Sequence, residues 1–379
     1  MRSVSSPIAE SDVLVVGAGI VGLAHASAAL ARGLTVTIID RDSRAVGASV
    51  RNFGHCCVTA QSGELLELAL VAREKWLKYS SLAGFFSTTS GALALARSST
   101  ELAVLSELSA SRESGQVEML SAANAAGLLR DGADATIVGG AMLRDDLRVD
   151  PREAVASLAA WLAAQPGVTI LWQTSFLGVA DGVAATSRGD IRAERTIVCV
   201  GHDLDYLYPE LAARRAIERC ALQMMRVEAP AGMVLRPAVL TGTSMLRYPA
   251  FSETDAAGAL RDEMGASRPD LLEIGANLMF TQRPNGTLIV GDSHRYSTTM
   301  DPFQAVKTSR ILLQEIERIL GVDKLRVKER WQGIYASSPQ QPFLIEEVAP
   351  GVTVAIVTSG VGMTISFGLA EKTLVAVGG

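Results

Sequence analysis

The sequence has few of the residues that build metal centres and disulfide frameworks. It contains four cysteines in 379 residues, none in Cys-x-x-Cys spacing, and a chain of this length can form a core without cross-links. Its four histidines are scattered, with no His-x-x-x-His pair and no cluster of histidine with cysteine. We therefore expect no metal, and we expect Cys56, Cys57, Cys199 and Cys220 to be reduced thiols of a cytoplasmic protein.

A strong positive charge and a transmembrane segment are missing as well. Because the net charge is -5 and no basic run is present, nucleic-acid binding is not expected. The uncharged stretch 351–370 has four glycines and five serines or threonines, which favour a strand, a turn and a helix over a membrane span. Residues 1–11 are polar and lack the apolar segment of a signal peptide, so we expect a short frayed arm. An apolar content of 48% is ordinary for a soluble chain of about two domains.

A glycine-rich motif lies between two apolar strands near the start of the chain. Gly17-x-Gly19-x-x-Gly22 follows the apolar run 13–16, and a second run, 36–39, ends at Asp40. Such glycines permit a tight turn, the approach of a pyrophosphate and close packing of a helix, whose N-terminus donates N–H groups. The acid at the second strand end is placed to accept hydrogen bonds from an adenosine ribose. The motif predicts a dinucleotide site and leaves open a flavin or a nicotinamide. Its candidate contacts are Gly17, Gly19, Ile20, Val21, Gly22 and Asp40.

The rest of the chain predicts a nucleotide domain that is interrupted by a second, sheet-based domain. Helices are indicated at 64–79, 151–164 and 303–320, strands at 137–143, 169–176, 178–185, 197–200 and 352–357, and a strand-rich region at 222–295 has a hairpin at Pro284-Asn285-Gly286. The fold class is therefore α/β, or α+β overall, with a Rossmann-like domain and an inserted antiparallel sheet. We assign residues 1–60, 135–215 and 330–379 to the nucleotide domain, and 61–134 and 216–329 to the other. The catalytic pocket is expected between them.

Several segments together resemble one enzyme family. They are the glycine motif, the loop 47–55, the Asp150-Pro151 helix start, the strand end 198–201 and the turn 359–364. The whole chain is similar to FAD-dependent amine oxidoreductases of the D-amino-acid oxidase, glycine oxidase and sarcosine oxidase family. The loop 51–55 and the stretch 332–339 look most like the branch associated with aminophosphonate catabolism.

The resemblance implies a flavoprotein with FAD as its cofactor and supplies further cofactor contacts. FAD is expected to be non-covalent, because Gly333 stands where sarcosine oxidases carry the cysteine that links the flavin. Two of these residues also have a purely structural interpretation. Arg51 would then form a surface ion pair, and His55 would be a hydrogen-bonded loop residue. The implied contacts beyond the glycine motif are Arg41, Ser49, Arg51, Asn52, Gly54, His55, Phe176, Gly201, Gly333, Gly360, Gly362, Met363 and Thr364.

The resemblance also implies the reaction and a substrate class. A small amine would lose hydride from the carbon that bears nitrogen, and the imine would hydrolyse to an aldehyde and ammonia or a primary amine. Relatives bind a substrate carboxylate through an arginine where this chain has Tyr335 and Ser337, so the favoured substrate is an aminophosphonate, such as 2-aminoethylphosphonate or its N-methyl or hydroxyl derivative. The alternative is glycine, sarcosine or a D-amino acid. The candidate substrate-binding residues are Arg247, Tyr248, His294, Arg295, Tyr335 and Ser337.

Other hypotheses remain at this point. A nicotinamide-dependent dehydrogenase and a non-catalytic nucleotide-binding protein would use the same glycine motif. The sequence indicates no acid or base for catalysis, does not choose between oxygen and an electron carrier as the acceptor, and leaves the oligomeric state open.

Overall fold

The structure is a computed structural model that describes residues 6–376, and its secondary structure alternates between strands and helices. In chain order the strands are β1 (Ala9–Val16), β2 (Val36–Ile39), β3 (His55–Cys56), β4 (Ser87–Thr88), β5 (Ala92–Ala96), β6 (Val117–Ser121), β7 (Gly139–Leu143), β8 (Leu147–Val149), β9 (Val168–Leu171), β10 (Phe176–Ala180), β11 (Val183–Thr186), β12 (Gly189–Val198), β13 (Glu218–Val227), β14 (Ala238–Leu240), β15 (Met279–Gln282), β16 (Leu288–Gly291), β17 (Arg295–Ser297), β18 (Val327–Ser337), β19 (Phe343–Ala349) and β20 (Val352–Val357). The helices are α1 (Ile20–Leu30), α2 (Gly63–Ala83), α3 (Ser99–Ser111), α4 (Ala122–Leu129), α5 (Pro151–Ala163), α6 (Leu204–Leu207), α7 (Pro209–Arg214), α8 (Gly242–Met245), α9 (Pro249–Ser252), α10 (Ala256–Ser267), α11 (Pro269–Glu273), α12 (Val306–Leu320) and α13 (Gly362–Ala376).

The first sheet is the predicted Rossmann-like layer. Strands β9, β2, β1, β12 and β20 are mutually parallel in that order, and β19, β11 and β10 extend the sheet through antiparallel pairs. All residues of β2 and β20 are buried, as expected for parallel strands that are covered on both faces. The carboxyl ends of β1, β2 and β12 meet at one edge. That edge carries the glycine turn and Asp40.

Helices α1, α2 and α13 form a layer over this sheet and position the start of α13. Trp76 of α2 packs edge-on against Phe367 and donates its Nε1–H to the carbonyl of Met363 at 2.7 Å. A Cβ on Gly368 would lie 2.1 Å from the carbonyl oxygen of Leu68, so α2 and α13 approach at a point where only glycine fits. This packing holds the first turn of α13 against the edge of the sheet.

The second sheet has the order β17, β13, β16, β15, β14, β5, β7 and β6, with β18 paired along β13. Its pairs are antiparallel except for β5 with β14, which makes the sheet mixed rather than purely antiparallel. The predicted hairpin at 284–286 joins β15 to β16. Leu312 and Ile316 of α12 are fully buried on one face of this sheet, and Leu105 of α3 and Leu260 of α10 belong to the core cluster on the opposite face.

Three elements pack in a different domain from the one to which the sequence analysis assigned them. Helix α2 packs with the nucleotide layer, while β7 and β18 pair within the second sheet. Between 242 and 273 the chain forms helices α8 to α11, although a strand-rich region was expected. In α10 the buried residues Ala257, Leu260 and Met264 are spaced as on one face of a helix. The sequence analysis missed this spacing because it treated the whole region as rich in strands.

The chain ends and the uncharged stretch can be compared with expectation. The frayed arm predicted for 1–11 lies partly outside the described residues, and β1 already begins at Ala9. The stretch 351–370 forms β20, a turn and part of α13, as predicted. Among residues 6–376 no helix is both long and apolar enough to cross a bilayer.

Candidate active site

A cavity of about 450 Å³ runs from the glycine turn of the first sheet to the concave face of the second. Its first half is lined by strand ends and by the loop 45–53, and its second half by residues of β18 and of the segments beside β15 and β16. Cavities at the carboxyl ends of parallel strands are where such folds bind nucleotides. The two halves would therefore place a cofactor beside a second ligand.

The glycine turn has the geometry of a pyrophosphate cradle. Gly17 has a φ of +104°, and a Cβ there would lie 2.6 Å from the carbonyl oxygen of Cys199. Asp40 holds the turn, because its Oδ2 accepts a hydrogen bond from the Ala18 N–H at 2.8 Å. Burial raises the pKa of Asp40, and the backbone N–H donors of Asp42 and Ala18 oppose that shift. Asp40 lines the cavity, so it is placed for a ribose while it also fixes the turn.

The loop that follows β2 closes over the start of α1. Ser49 Oγ accepts a hydrogen bond from the Ile20 N–H at 2.9 Å, and a Cβ on Gly19 would lie 3.0 Å from the same oxygen. Asn52 braces the loop by donating to the carbonyls of Ala48 and Ser49, each at 3.0 Å. Arg51 donates to the carbonyl of Gln332 at 3.2 Å, which ties the loop to β18.

Most predicted cofactor contacts line the cavity, and four do not. Gly22 faces the inside of the turn, where a Cβ would lie 1.8 Å from the Gly17 carbonyl oxygen. Gly54 is pressed against the Val149 carbonyl oxygen, and Thr364 accepts a hydrogen bond from the Cys57 N–H at 3.0 Å. These residues and His55 support the cavity from behind. Those that line it are Gly17, Gly19, Ile20, Val21, Asp40, Arg41, Ser49, Arg51, Asn52, Phe176, Gly201, Gly333, Gly360, Gly362 and Met363.

His55 is placed in a buried polar cluster instead of in the cavity. Strand β3 pairs with β8 and turns His55 away, so that its Nε2 lies 2.7 Å from Asp146 Oδ2. Asp146 Oδ1 accepts a hydrogen bond from the Thr59 N–H at 2.7 Å. Potential ligand atoms of His55, Cys57 and Asp146 all lie within 4.8 Å of one another, which brings together in space a histidine–cysteine group that sequence reasoning missed. Because Asp146 already accepts hydrogen bonds on both oxygens, we read this cluster as structural, and the absence of a metal stays a prediction.

The second half of the cavity is organised around Arg247. Its Nη2 donates to Tyr335 Oη at 2.6 Å and its Nη1 donates to Tyr296 Oη at 3.3 Å. Burial acts to lower the pKa of Arg247, but the tyrosine oxygens outweigh it and the pKa is raised, so the guanidinium stays charged. A Cβ on Gly360 would lie 2.9 Å from the Tyr335 ring. The turn before α13 and the Arg247–Tyr335 pair are therefore in direct contact.

The other candidate substrate-binding residues differ in whether they line the cavity. Tyr248 and His294 line the cavity, but burial and the nearby Arg247 charge hold the pKa of His294 well below its usual range, so it supplies no positive charge. Arg295 points to the opposite side, with its side chain 55% exposed and 3.9 Å from Asp301. Ser337 lies past the cavity, where it bridges to Ser359. Of these four candidates, Tyr248 and His294 therefore line the cavity, and Arg295 and Ser337 do not.

Two polar residues of the cavity were missed by sequence reasoning. Asn277 and Asp292 are each 3% exposed, and they exchange backbone hydrogen bonds of 3.0 and 3.1 Å beside the β15–β16 hairpin. Burial raises the pKa of Asp292 to about 7, although the Arg247 charge opposes the shift. A carboxylate directly after the apolar strand 288–291 was the available signal, since polar residues at strand ends often belong to sites.

The residues present fit a flavin dinucleotide. The strained glycine turn offers backbone N–H groups where any Cβ would intrude, and the acid at the end of β2 lies at the far side of the same space. The long cavity then continues to Gly360 and Tyr335, where the reacting ring of such a cofactor would meet a substrate.

Comparison with known proteins agrees with this geometry. Residues 12–374 match the family model described as DAO, FAD dependent oxidoreductase. The fold is similar to that of glycine oxidase from Geobacillus kaustophilus, with a TM-score of 0.76, 18% identity, and coverage of 97% of this chain and 94% of that one. It is similar to FAD-bound L-alpha-glycerophosphate oxidase from Mycoplasma pneumoniae, with a TM-score of 0.77, 17% identity, and coverage of 98% and 95%.

A third solved structure with the same fold is iminodiacetate oxidase from Chelativorans sp. BNC1. Its TM-score is 0.73 at 21% identity, with coverage of 97% of this chain and 95% of that one. None of the curated proteins matches the chain. At these identities the solved structures establish the fold.

Proposed function

Because the chain belongs to the family of FAD-dependent oxidoreductases, we propose that it oxidises a small aminophosphonate at the carbon that bears nitrogen. The favoured substrates are 2-aminoethylphosphonate and its N-methyl or hydroxyl derivatives. The products would be an aldehyde and either ammonia or a primary amine. The named neighbours include oxidases of an amino acid and of a glycerophosphate, so the fold alone does not choose the substrate.

The half-buried Arg247 with its two tyrosines is the observation that carries the proposal. A phosphonate has up to two negative charges and three acceptor oxygens, which suit a guanidinium fork flanked by hydroxyl donors. Tyr335 and Tyr296 accept from Arg247, and Tyr335 lines the cavity, so its hydroxyl hydrogen would be placed to donate to a phosphonate oxygen. One guanidinium with two hydroxyl groups therefore offers hydrogen-bond donors in more than one direction. A planar carboxylate needs only the two parallel N–H groups of the guanidinium.

The protein's own part in the reaction is binding, orientation and exclusion of water. FAD, when bound, accepts the two electrons of the oxidation. The glycine turn, Ser49 and Asp40 would hold its dinucleotide part, and the backbone around Gly360 and Gly362 would face its ring system. Because Gly360 lies against Tyr335, a phosphonate on Arg247 would bring the attached amine next to that ring.

The second candidate is oxidation of a small amino acid. The observation in its favour is the same Arg247, because a guanidinium also binds a carboxylate through two parallel hydrogen bonds. The two candidates differ in which anion the cavity prefers.

Product analysis separates them. Purified flavoprotein would be incubated in air, and with an artificial electron acceptor, with 2-aminoethylphosphonate, its N-methyl derivative, glycine, sarcosine and D-alanine. We expect aldehyde and amine release from the phosphonates, and methylamine from the N-methyl compound. Release from the amino acids alone would exclude the aminophosphonate and leave the second candidate.

A further inference from the structure

Two residues that line the cavity, Asn277 and Asp292, carry buried acceptor atoms without partners. Among the described residues, Asn277 Oδ1 and Asp292 Oδ1 accept no hydrogen bond. Buried acceptors are normally paired, and leaving one unpaired costs about 1–3 kcal/mol. Because both residues also line the cavity, a ligand with N–H donors is placed to supply hydrogen bonds that their side chains lack.

Backbone pairing places these two residues side by side. The Asn277 N–H donates to the Asp292 carbonyl at 3.0 Å, and the Asp292 N–H donates to the Asn277 carbonyl at 3.1 Å. This reciprocal pair of backbone hydrogen bonds brings the two residues next to each other. Both residues line the cavity. The two residues therefore form neighbouring parts of the cavity lining.

Some side chains at the cavity are positively charged or donate hydrogen bonds, and others accept hydrogen bonds. Arg247, Tyr335 and Tyr296 present a cation and hydroxyl donors, whereas Asp292 and Asn277 present acceptors. Arg247 forms no ion pair within the described residues, so Asp292 is not its salt-bridge partner. A ligand with an anion at one end and an N–H cation at the other matches this division.

We propose that Asp292 and Asn277 bind the substrate nitrogen, and that Asp292 removes the proton that converts the bound ammonium into the oxidisable neutral amine. The inference rests on the proposed function only in requiring an amine substrate. It makes Asp292 a catalytic residue and Asn277 a residue that positions the nitrogen.

The proton transfer is balanced and involves no electron change. One N–H bond of the ammonium breaks and an O–H bond forms on Asp292, which gives a neutral amine and a neutral carboxylic acid. Removing this proton leaves a lone pair on nitrogen, and that lone pair assists loss of hydride from the neighbouring carbon. An alkylammonium has a pKa of about 10 in water, so a carboxylate raised to about 7 by burial is a better proton acceptor than an ordinary aspartate near 4.

Near neutral pH, Asp292 is the group in this part of the cavity that changes charge. The groups that face it are Arg247, Tyr248, His294 and Cys220. The pKa of Arg247 and that of Tyr248 are both raised, the pKa of Cys220 is raised to about 11 by burial, and the pKa of His294 is well below its usual range. Each of these four pKa values lies outside the range from pH 6 to pH 8.5, so the charges of these groups stay constant within it.

Ligands that cannot be oxidised test the proposal by binding alone. In 2-amino-2-methylpropylphosphonate the carbon that bears nitrogen has no hydrogen, and 2-methylpropylphosphonate lacks the nitrogen. Each Kd is expressed for the phosphonate dianion with that ligand's own measured phosphonate pKa, because the ammonium lowers this pKa in the first ligand. The ratio of the two corrected Kd values then isolates the contribution of the nitrogen. Calorimetry on the flavin-loaded protein would give both Kd values for wild type and Asp292→Asn between about pH 6 and pH 8.5.

We expect wild type to prefer the ammonium ligand, with a preference that grows as pH rises through about 7, because only ionised Asp292 attracts the cation. In Asp292→Asn the preference should fall by about 10- to 100-fold and become independent of pH. Asn277→Ser should weaken the preference less and keep the pH dependence. Asp301→Asn, an exposed carboxylate change, should match wild type.

Unchanged preference and pH profile in Asp292→Asn would overturn the inference. Retained flavin and unchanged affinity for 2-methylpropylphosphonate show that the variant is folded. If neither phosphonate binds wild type, the aminophosphonate proposal fails on its own, and 2-aminoisobutyrate against isobutyrate repeats the comparison with a carboxylate. Failure of both pairs to bind, or an ammonium preference that survives in Asp292→Asn with either pair, rejects the role of Asp292.

Discussion

Replacing Tyr335 by phenylalanine removes one hydroxyl from the centre of the proposed anion site and leaves the ring in place. The hydroxyl accepts from Arg247 Nη2 at 2.6 Å, a short hydrogen bond from a charged donor. The ring also packs edge-on to His294 at 6.3 Å between centroids and against Gly360, and phenylalanine preserves both contacts. The change therefore tests the hydroxyl and not the packing.

The magnitude follows from the kind of bond that is lost. The proposed hydrogen bond from the Tyr335 hydroxyl to an anionic phosphonate oxygen would contribute about 1.5–3 kcal/mol, and its loss corresponds to about a 10- to 150-fold decrease in kcat/KM. Tyr296→Phe is the matched control, because its hydroxyl lies 3.3 Å from Arg247 Nη1 and the residue is 46% exposed. Solvent can replace that contact, so we expect at most about a 5-fold decrease.

The assay is steady-state oxidation of 2-aminoethylphosphonate by wild type and both variants, with flavin content and Tm measured in parallel. Flavin content should be unchanged, since neither hydroxyl contacts the glycine turn, and Tm reports any stability lost with the hydrogen bonds to Arg247. A kcat/KM for Tyr335→Phe within about twofold of wild type, or equal effects of the two variants, would refute the role assigned to the Arg247–Tyr335 pair.

Three further predictions concern the cofactor and the fold. Gly19→Val should purify with little flavin, because its Cβ would already lie 3.0 Å from Ser49 Oγ and its methyl groups would fill the pyrophosphate path; normal flavin absorbance in this variant would contradict the cradle. Acid precipitation should release all flavin into the supernatant, because Gly333 offers no side chain for a covalent link, and a yellow pellet would show that another residue forms one. Gly54→Ala should lower Tm or prevent folding, since a Cβ there would lie 2.0 Å from the Val149 carbonyl oxygen at a φ of +70°, whereas Gly47→Ala, with nothing within 4 Å, should be tolerated; equal Tm values would contradict this.

Local patterns in the sequence predicted the backbone structure around the glycine turn. The turn at Gly17, the acid at Asp40 and the helix start at Asp150-Pro151 each depend on neighbours within one βαβ unit or one helix. The structure places all three as predicted, with Asp150 capping α5. Domain membership was less predictable, because α2 packs on α13 from the far end of the chain.

The substrate half depends on pairing between distant segments. On a strand, neighbouring side chains point to opposite faces, and the sequence does not reveal that Tyr296 faces Arg247 while Arg295 faces solvent. Asn277 and Asp292 meet only because the β15–β16 hairpin brings them opposite each other. The charge of His294 was also beyond sequence reasoning, since burial next to Arg247 decides it.

Anaerobic reduction of the bound flavin tests the central claim most directly, because it requires no acceptor and follows only the first half of the reaction. The purified protein would be mixed with equal concentrations of 2-aminoethylphosphonate, its N-methyl derivative, glycine, sarcosine and D-alanine, and the flavin absorbance would be followed. The account predicts rapid bleaching by an aminophosphonate and little or none by the amino acids. Bleaching by the amino acids without bleaching by any aminophosphonate would contradict the substrate assignment.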